Sequence, residues 1–398
     1  MSARLAIDTL KPAQLDASSR ALWSEFRTAD PVFRSPYFDL RYALVAGESA
    51  PGAEIAVISR AGRVEGFLPF QRRGRLIQPI AAPLTDYHGV LARPGAHIDL
   101  RGVTAALGAR RFRFSGLAGE QALHETATTR IAMVADLSRG MDAYLARRTK
   151  DFLKDKRRRA RRLAEDHGPL RFDFSSDPGE AMDFILRRKR DQMRRTGQHD
   201  IFGSPWIKRF LRRLMERREA DFGMRFATLR AGGRLVAAEA GLLSGDAYHL
   251  WFPVYDTEFA KYSPGSLATL ETLRAAAQAG VSMVDFGPAG ETYKRDFADP
   301  AAHVFEGDVT HGGLIEAARR TADFALGRTP TLRRALSAAG QRVDRRWDRI
   351  TACEPSLDGR VGAASRSLTA IAARRPKTSI GVGVGLGVSA GLLSLLTE

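Results

Sequence analysis

The stretch from Arg225 to Phe297 constrains the fold of this chain more than any other part of the sequence. Its apolar runs and turn residues predict, in order, a hairpin (225–229 and 235–243), a third strand (247–252), a helix (263–279) and a fourth strand (281–286). Strands that alternate with a helix in this way are typical of a sheet covered by helices. We therefore expect an α/β (α+β) fold.

The predicted helix begins with strong start signals. Ser263 is a good N-cap, Pro264 suits the first helical position, and Gly265 has no side chain to block a ligand. A helix N-terminus presents free N–H groups and a partial positive charge, so it suits a phosphate-bearing ligand. The sequence thus predicts an anion-binding segment made of Lys261, Tyr262, Ser263, Pro264, Gly265 and Ser266.

Length, charge and cysteine content bound the class of protein. The chain has 398 residues, enough for two domains, and its formal net charge of +17 favours anionic partners. A single cysteine, Cys353, excludes an internal disulfide framework and fits an intracellular setting. The eight histidines do not cluster with carboxylates at ligand spacing, so we predict no metal site.

Composition divides the chain into four zones. We predict a first α/β unit over 1–137, a second over 138–310 that begins with basic helices (138–220), a basic helical extension over 311–377 and an uncharged glycine-rich tail over 378–398. Ser59–Val64 and Leu229–Leu235 share an Arg-Ala-Gly turn between similar strands. This echo favours two related units in tandem.

The two ends of the chain bear on its location. No long apolar run follows Met1, so we expect no signal peptide and a cytoplasmic protein. The tail from Thr378 to Thr397 has no charged residue and follows Arg374, Arg375 and Lys377, which is the pattern of a weak membrane span. It is either an attachment to the inner membrane or a flexible or packed tail.

The most basic segment is Arg147–Arg162, with ten basic residues and two acidic ones. It is either a solvated helix face or a surface for an anionic glycan carrier, an acidic lipid or RNA. Few aromatic residues interleave with these charges, which argues against stacking on single-stranded nucleic acid. Two Arg-x-x-Asp matches, Arg320–Asp323 and Arg345–Asp348, have the spacing of some cyclic dinucleotide sites.

Several short motifs together resemble one enzyme family. They are Phe33-Arg34-Ser35-Pro36, Asp86-Tyr87-His88-Gly89, Tyr248-His249-Leu250-Trp251, Tyr255-Asp256, Ser263-Pro264-Gly265, Asp285-Phe286-Gly287 and Tyr293-Lys294. In this combination, over about residues 10–300, the chain resembles the CelD/BcsL group of acetyltransferases, a FemAB-related branch of the GNAT superfamily.

The resemblance implies tandem GNAT-like units with mixed, mostly antiparallel sheets flanked by helices, and a substrate groove between them. It implies acetyl-CoA or another acyl-CoA as the donor. It also implies an amino sugar or lipid-linked glycan as the acceptor, in the synthesis of exopolysaccharide or a cell-surface adhesin. The chain lacks the glycine-rich phosphate loop that is usual in the superfamily, so Ser263-Pro264-Gly265 must take its role.

Acyl transfer to an amine asks for a proton acceptor, donors to the oxyanion and an acid for the leaving thiolate. Each candidate has a structural alternative. Asp285 is a base or substrate anchor, or it caps a turn; Lys294 steadies the oxyanion or a phosphate, or lies on the surface. Tyr293 is the acid, or a core or rim residue. His249 is catalytic or a core histidine, and Glu239 faces the groove as a base or faces solvent.

The first unit carries a second polar cluster. Asp86, Tyr87 and His88 are predicted to line the acceptor site, together with Trp251. Two other functions stay open. One is a FemAB-type transferase that takes aminoacyl-tRNA on the basic helices, although the sequence shows no long coiled-coil arm. The other is a non-catalytic effector that binds a nucleotide or a membrane through the C-terminal zone.

Overall fold

The computed structural model describes residues 5–119, 128–288, 293–310, 346–354 and 356–372. Within them the chain forms a mixed sheet covered by helices, as predicted. The predicted hairpin, third strand, helix and fourth strand are all present, at Phe222–Ala231 with Arg234–Ser244, Ala247–Leu250, Pro264–Gln278 and Met283–Pro288. Apolar periodicity and turn residues therefore fix the local structure of this stretch.

The strands in the described residues are β1 (Leu5–Leu10), β2 (Ala53–Arg60), β3 (Arg63–Arg73), β4 (Leu76–Pro79), β5 (Leu91–Ala92), β6 (Arg111–Leu117), β7 (Thr128–Asp136), β8 (Leu170–Ser175), β9 (Arg218–Glu219), β10 (Phe222–Ala231), β11 (Arg234–Ser244), β12 (Ala247–Leu250), β13 (Val254–Tyr255), β14 (Met283–Pro288) and β15 (Asp299–Thr310).

The α-helices are α1 (Ala17–Ala29), α2 (Leu40–Ser49), α3 (Leu100–Ala106), α4 (Gly140–Ala146), α5 (Lys150–His167), α6 (Ala181–Thr196), α7 (Pro205–Glu216), α8 (Pro264–Gln278), α9 (Lys294–Phe297), α10 (346–353) and α11 (Leu357–Ala372). Short 3-10 helices lie at Pro12–Gln14, Pro31–Arg34, Pro36–Phe38, Ile201–Gly203 and Thr257–Tyr262.

All these strands belong to one sheet. Its main path runs β1-β2-β3-β4-β6-β15-β7-β14-β12-β11-β10-β8, and β5, β9 and β13 pair at the side with β3, β10 and β11. Neighbours on the path are antiparallel except β4 with β6 and β12 with β14, which are parallel. Parallel neighbours need a crossover connection, and α3 and α8 lie in these two connections.

The sheet is built twice from the same plan. The first half, β1–β7, and the second half, β8–β15, order their strands alike. β3 and β11 each have 11 residues, and each turns into the next strand through two residues. The fourth residue of each pairs with a short side strand, Gly66 with Ala92 and Ala237 with Tyr255. The predicted tandem of related units is confirmed, and positions in β3 and β11 correspond one to one.

The last strand of each half pairs with a strand of the other half. β7 pairs with β14 of the second half, β15 pairs with β6 of the first, and the two pair with each other at the centre. The sequence did not reveal this exchange, because the pattern of a strand sets its buried face and not its neighbour. One continuous sheet therefore replaces the two separate sheets that were expected.

Polar contacts also join the halves. Arg41 donates to both carboxylate oxygens of Asp221, at 2.8 and 2.9 Å. Arg34 donates to Asp246 at 2.6 Å and to Ser282 at 2.7 Å. Between these contacts α2 of the first half packs against α7 of the second. The two halves are thus joined by backbone pairing, helix packing and ion pairs together.

The basic region over 138–220 is mostly helical as predicted, but it also contains the two-residue strand β9 and the longer strand β8. Residues Leu170–Ser175 form β8, which pairs with β10 at the edge of the sheet. The expectation of helix here was wrong because Leu170, Phe172 and Phe174 alternate with exposed Arg171 and Asp173. That period of two puts the apolar side chains on one face of a strand.

The C-terminal extension is described in part. Residues 346–353 and Leu357–Ala372 are helical, as predicted, whereas 311–345 and the tail 378–398 lie outside the described residues. The first Arg-x-x-Asp match also lies outside them. Asp348 of the second match forms an ion pair with Arg113 of β6 at 3.0 Å. This acidic position therefore contributes to the docking of α10 on the sheet.

Three further observations concern the described part of the chain. None of its helices combines the length and the apolar character that a bilayer span needs. No group of three or more His, Cys, Asp or Glu side chains within it is arranged to hold a metal ion. Cys353 is buried in α10, and burial raises the pKa of its thiol to about 12.

Candidate active site

Side chains from both halves meet beside the parallel pair β12 and β14. His249 of β12 stands opposite Asp285 of β14. The connection between β4 and β5 brings Asp86 and Tyr87 from the first half to the same place. His249 Nε2 lies 3.0 Å from Asp86 Oδ2, and the Tyr87 hydroxyl donates to Asp285 Oδ1 at 2.9 Å. We call these four residues the carboxylate–histidine cluster.

Asp285 is the inner carboxylate of the cluster. Only 6% of its side chain is exposed, and its Oδ1 also accepts the backbone N–H of Gly287 at 2.6 Å. Its Oδ2 lies 3.7 Å from His249 Nδ1, which is an ion-pair distance. Asp285 therefore caps the following turn, as one alternative predicts, and also contacts Tyr87 and His249; its role as a base or substrate anchor stays a prediction.

The electrostatics of the cluster make His249 a cation. Its side chain has no exposed surface. Burial alone would lower the pKa of His249, but the flanking carboxylates of Asp285 and Asp86 outweigh it and raise the pKa to about 9. Enclosure pushes the pKa of Asp86 up, and the hydrogen bond and charge of His249, with Lys294 nearby, bring it below its usual value. At neutral pH an imidazolium thus supports an ionised Asp86.

Asp86 is the outer member of the cluster. Its side chain is 42% exposed, whereas those of His249 and Asp285 are almost fully buried. Of these three side chains, only that of Asp86 has substantial solvent exposure. The cluster presents one carboxylate, held in place by a buried cation.

Gly287 and Lys294 border the cluster on the second half. Gly287 has a φ of +79°, and a Cβ there would lie 3.5 Å from the His249 ring and 3.8 Å from Lys294 Nζ. Only 9% of Lys294 is exposed, and its Nζ lies 3.5 Å from the carbonyl oxygen of Pro288. Lys294 is thus a buried cation of the site rather than a surface lysine.

The N-terminus of α8 lies where the sequence predicts it. Pro264 is the first residue of the helix, and Ser263 is the N-cap residue with a left-handed φ of 51° and no side-chain capping bond. The ring of Tyr255 would approach a Cβ at Gly265 to 3.3 Å, which leaves little room for a larger residue. The first-turn N–H groups are therefore not taken by a capping side chain.

The segment before α8 is braced by α5. The hydroxyl of the buried Tyr262 donates to Asp166 and lies 3.1 Å from His167 Nε2. Lys261 points outward with 70% of its side chain exposed and lies 3.6 Å from Asp166. Of the predicted binding segment, Tyr262 thus has a structural role, whereas Lys261 adds positive charge beside the helix N-terminus.

The sequence of this part of the chain decides the class of the site. Residues 147–295 match the family model of the acetyltransferase (GNAT) domain. We call this segment the GNAT domain, after the family model that it matches. It runs from α5 to α9 and contains His249, Asp285 and Lys294, and the expectation of a GNAT-type N-acyltransferase is confirmed at that level. Asp86 and Tyr87 come to the GNAT domain from outside it.

Solved structures with a similar chain course include three proteins. They are a tandem GNAT protein from the clavulanic acid biosynthesis pathway (11% identity, 78% of this chain and 100% of that chain, TM-score 0.47), a conserved protein of unknown function from Bacteroides thetaiotaomicron VPI-5482 (12%, 77% and 100%, 0.49) and FemX (10%, 75% and 96%, 0.43). No curated protein matches the chain. At such low identity these likenesses say nothing about the substrate.

Two of the residues predicted to line the acceptor site, His88 and Trp251, are buried. His88 is buried against Phe112 and Phe114 of the first half, and burial lowers its pKa to about 3, so the ring is neutral. Trp251 is 9% exposed, stacks on Phe252 and donates its indole N–H to the Leu84 carbonyl at 3.1 Å. Trp251 therefore anchors the connection that carries Asp86.

Two predicted catalytic residues of the GNAT domain lie outside the cluster. Glu239 is fully buried, so both expectations, a groove-facing base and a solvent-facing carboxylate, were wrong. Its oxygens accept hydrogen bonds from Thr269 and Thr272 of α8. Tyr293 immediately precedes α9 and is half-buried beside the apolar cluster that contains Phe297.

Sequence reasoning missed one residue of the site. Tyr37, on the 3-10 helix Pro36–Phe38 of the first half, places its ring 5.0 Å from the His249 ring and 6.2 Å from that of Tyr87. It is buried, and its hydroxyl has no hydrogen-bond partner among the described residues. The available signal was the Ser-Pro loop before it, which gives no indication that the next residue turns inward.

Proposed function

We propose that this chain is an acyl-CoA-dependent N-acetyltransferase whose acceptor amine binds beside Asp86, in the groove between the two halves. The carboxylate–histidine cluster carries the proposal. The GNAT domain supplies His249 and Asp285, and the first half adds the one exposed carboxylate. Because the cluster takes residues from both halves, neither half forms it alone.

Asp86 is the proposed proton acceptor. An amine must lose a proton as it attacks a thioester, and a carboxylate at the site both attracts the ammonium form and takes up the proton. His249, as an imidazolium, keeps Asp86 ionised and fixed. Asp285 and Tyr87 hold the histidine from behind, so they act as positioning residues. These roles follow the distances and exposures of the cluster.

The donor is proposed to lie with its phosphates at the N-terminus of α8. The first-turn amides and the helix dipole favour anionic oxygens there, and Lys261 adds charge beside them. In the transfer step the amine nitrogen bonds to the acetyl carbon, the carbon–sulfur bond breaks, and the thiolate takes a proton. Lys294 is the proposed stabiliser of the oxyanion, and Tyr293 the proposed proton donor to the thiolate.

The acceptor is proposed to be an amino sugar of a secreted or envelope polysaccharide, free or lipid-linked. Support comes from the motif resemblance to the CelD/BcsL group and from an anionic amine-binding group at the groove. We propose that the enzyme lies in the cytoplasm, with the tail 378–398, which is uncharged as far as Thr397, as the contact with the inner membrane. An anionic membrane surface suits the net charge of +17.

The test is acetyl-CoA turnover by the full-length protein with glucosamine as the acceptor, followed by release of free thiol. Asp86→Asn keeps the size of the side chain and removes its charge, so kcat should fall by about 10²–10⁴-fold. Calorimetric binding of acetyl-CoA should not change. The control is Asp8→Asn, an exposed carboxylate on β1, which should behave as wild type.

Two results would count against the proposal. If calorimetry detects no binding at millimolar acetyl-CoA, acetyl-CoA is not the donor, and nucleotides and aminoacyl-tRNA are the next ligands to test. Full turnover by Asp86→Asn would leave the donor in place and refute the role of the carboxylate.

A transferase that uses aminoacyl-tRNA is the second candidate, because α5 exposes a basic face. Its packing side is formed by Phe152, Lys156 and Leu163, and the opposite side carries Lys150, Lys154, Arg157, Arg158 and Arg161. Binding of RNA to this face would weaken steeply with salt. A salt-independent reaction with acetyl-CoA as sole donor would exclude this candidate.

A further inference from the structure

Glu239 is a carboxylic acid at a place where the same fold also accepts leucine. It is the sixth residue of β11, and Leu68 is the sixth residue of β3 in the first half. Both side chains are fully buried. Leu68 lies in an apolar cluster with Leu100 and Val103 of α3. The architecture therefore does not require a carboxyl at this position, and its burial in the GNAT domain has another cause.

Both oxygens of Glu239 bind the helix that follows Ser263. The Thr272 hydroxyl donates to Oε2 at 2.7 Å, and the Thr269 hydroxyl donates to Oε1. Thr269 Oγ1 also lies 3.0 Å from the carbonyl oxygen of Gly265, in the first turn of α8. A hydroxyl has one proton, so Thr269 donates either to Glu239 or to Gly265. Thr269 therefore links Glu239 to the first turn of α8, whose N–H groups have no capping side chain.

We propose that Glu239 is a positioning residue for the donor, which holds α8 against β11 so that its first-turn amides stay aimed at the donor phosphates. The inference rests on the proposed function, which puts acetyl-CoA at this helix N-terminus. Glu239 touches neither donor nor acceptor and acts through Thr269 and Thr272. Its counterpart Leu68 makes no such link to α3, whose N-terminus is already capped by Asp99.

The same contacts make donor binding depend on pH. Burial raises the pKa of Glu239 to about 7, against the opposing effect of the two threonine hydroxyls. Once protonated, Glu239 becomes a hydrogen-bond donor itself, and the Thr269 proton turns to the Gly265 carbonyl. Tyr248 of β12, whose ring lies against Gly241 of β11, is the neighbouring titratable group, and it responds to the charge of Glu239. Burial raises the pKa of Tyr248 well above its usual value, so it stays neutral.

The experiment compares Glu239→Leu, Glu239→Gln and Thr272→Val in the full-length protein. Calorimetry gives the Kd for acetyl-CoA, and steady-state turnover gives KM and kcat. The matched control is Glu271→Gln, which removes a carboxylate from α8 that pairs with Arg274 of the same helix. Glu239→Leu and Thr272→Val should raise Kd and KM for acetyl-CoA about tenfold and change kcat less than twofold.

The pH dependence gives a second readout. The Kd of the wild type should change between pH 6 and pH 8, and that of Glu239→Gln should not, because an amide does not titrate in this range. If Glu239→Leu does not fold, Glu239→Gln and Thr272→Val carry the test, since both keep the size of the side chain.

The outcomes separate this inference from the function on which it rests. Normal Kd and KM in every variant, with acetyl-CoA bound by the wild type, would overturn the positioning role and leave the acetyltransferase intact. Loss of kcat at an unchanged KM would also overturn it, because the carboxyl would then act on the chemical step. A wild type that does not bind acetyl-CoA would overturn the proposed function and this inference together.

Discussion

The two halves of the molecule share their strand order and differ in what lies between the strands. In the first half the connection from β4 to β5 is residues 80–90, whereas the equivalent connection in the second half is residues 251–253. The helix that follows has seven residues in the first half and 15 in the second. The strand order is thus common to the two halves, and the connections and helices between the strands distinguish them.

The helix N-termini show the same contrast. In α3 the Asp99 carboxylate accepts the N–H groups of Arg101 and Gly102, so a side chain already occupies the anion position. In α8 the N-cap Ser263 makes no such bond. The first half therefore has no uncapped helix N-terminus at this position, and its long connection brings Asp86 and Tyr87 to the second half. Under the proposed function, the second half binds the donor and the first half completes the acceptor site.

The largest expected effect on turnover comes from replacing a residue of the second half by the residue at the equivalent position of the first half. His249 is the third residue of β12, and Gln78 is the third of β4. His249→Gln removes the buried cation that holds Asp86, so kcat should fall by about 10²–10³-fold. The reciprocal Gln78→His is the control and should leave turnover unchanged. Wild-type turnover by both variants would show that the buried cation at position 249 is not needed for activity.

The next effect concerns stability and pH at Glu239. Its pKa rises from 4.5 to about 7 on folding, so its contribution to stability is present below pH 4.5 and lost as the pH rises through 7. The free energy of unfolding should fall, relative to that of Glu239→Gln, by about 3 kcal/mol between pH 4.5 and pH 8. Urea titrations of both proteins across this range measure it. Parallel pH curves would contradict it.

A capping carboxylate at α8 should make the second half resemble the first. Ser263→Asp places a negative charge where Asp99 caps α3, and aspartate tolerates the left-handed φ of 51°. The Kd for acetyl-CoA should rise about tenfold through charge repulsion with the phosphates. Ser263→Asn has the same shape without the charge and should bind as wild type. Equal Kd values for the two variants would place the donor phosphates elsewhere.

The smallest effect is expected at the joint between the halves. The ion pair of Arg34 and Asp246 has side chains that are 38% and 54% exposed, so water and salt screen it. Arg34→Ala should lower the free energy of unfolding by under about 1 kcal/mol, and less at high salt. A double-mutant cycle with Asp246→Ala isolates the pair. A coupling of several kcal/mol would mean that this contact, rather than the shared sheet, holds the halves together.

Much of the second half could be predicted from the sequence, because its signals are local. The hairpin, the start of α8 at Pro264 and its end before Gly280 all depend on residues a few positions apart. The Arg-Ala-Gly echo likewise marked two equivalent hairpins. β8 was missed because a strongly basic composition was given more weight than a period of two.

The four residues of the carboxylate–histidine cluster were named from the sequence, but their arrangement was not. Asp86, His249 and Asp285 were all candidates, yet nothing local shows that Asp86 would meet a histidine 163 residues away. Tyr37 was missed for the same reason. Glu239 was assigned to the groove because a carboxylate in an apolar strand suggests function, and its threonine partners lie 30 and 33 residues further on.

The sequence by itself determined the strands and the helix of the 225–297 stretch, the ends of that helix and the tandem plan, because periodicity and turn chemistry act over a few residues. The tertiary structure decided the exchange of β7 and β15, the burial of Glu239 and the choice of Asp86 as the exposed member of the site. These depend on which surfaces pack together. Burial and opposing charges then set protonation, and a chain cannot show this before its distant parts have met.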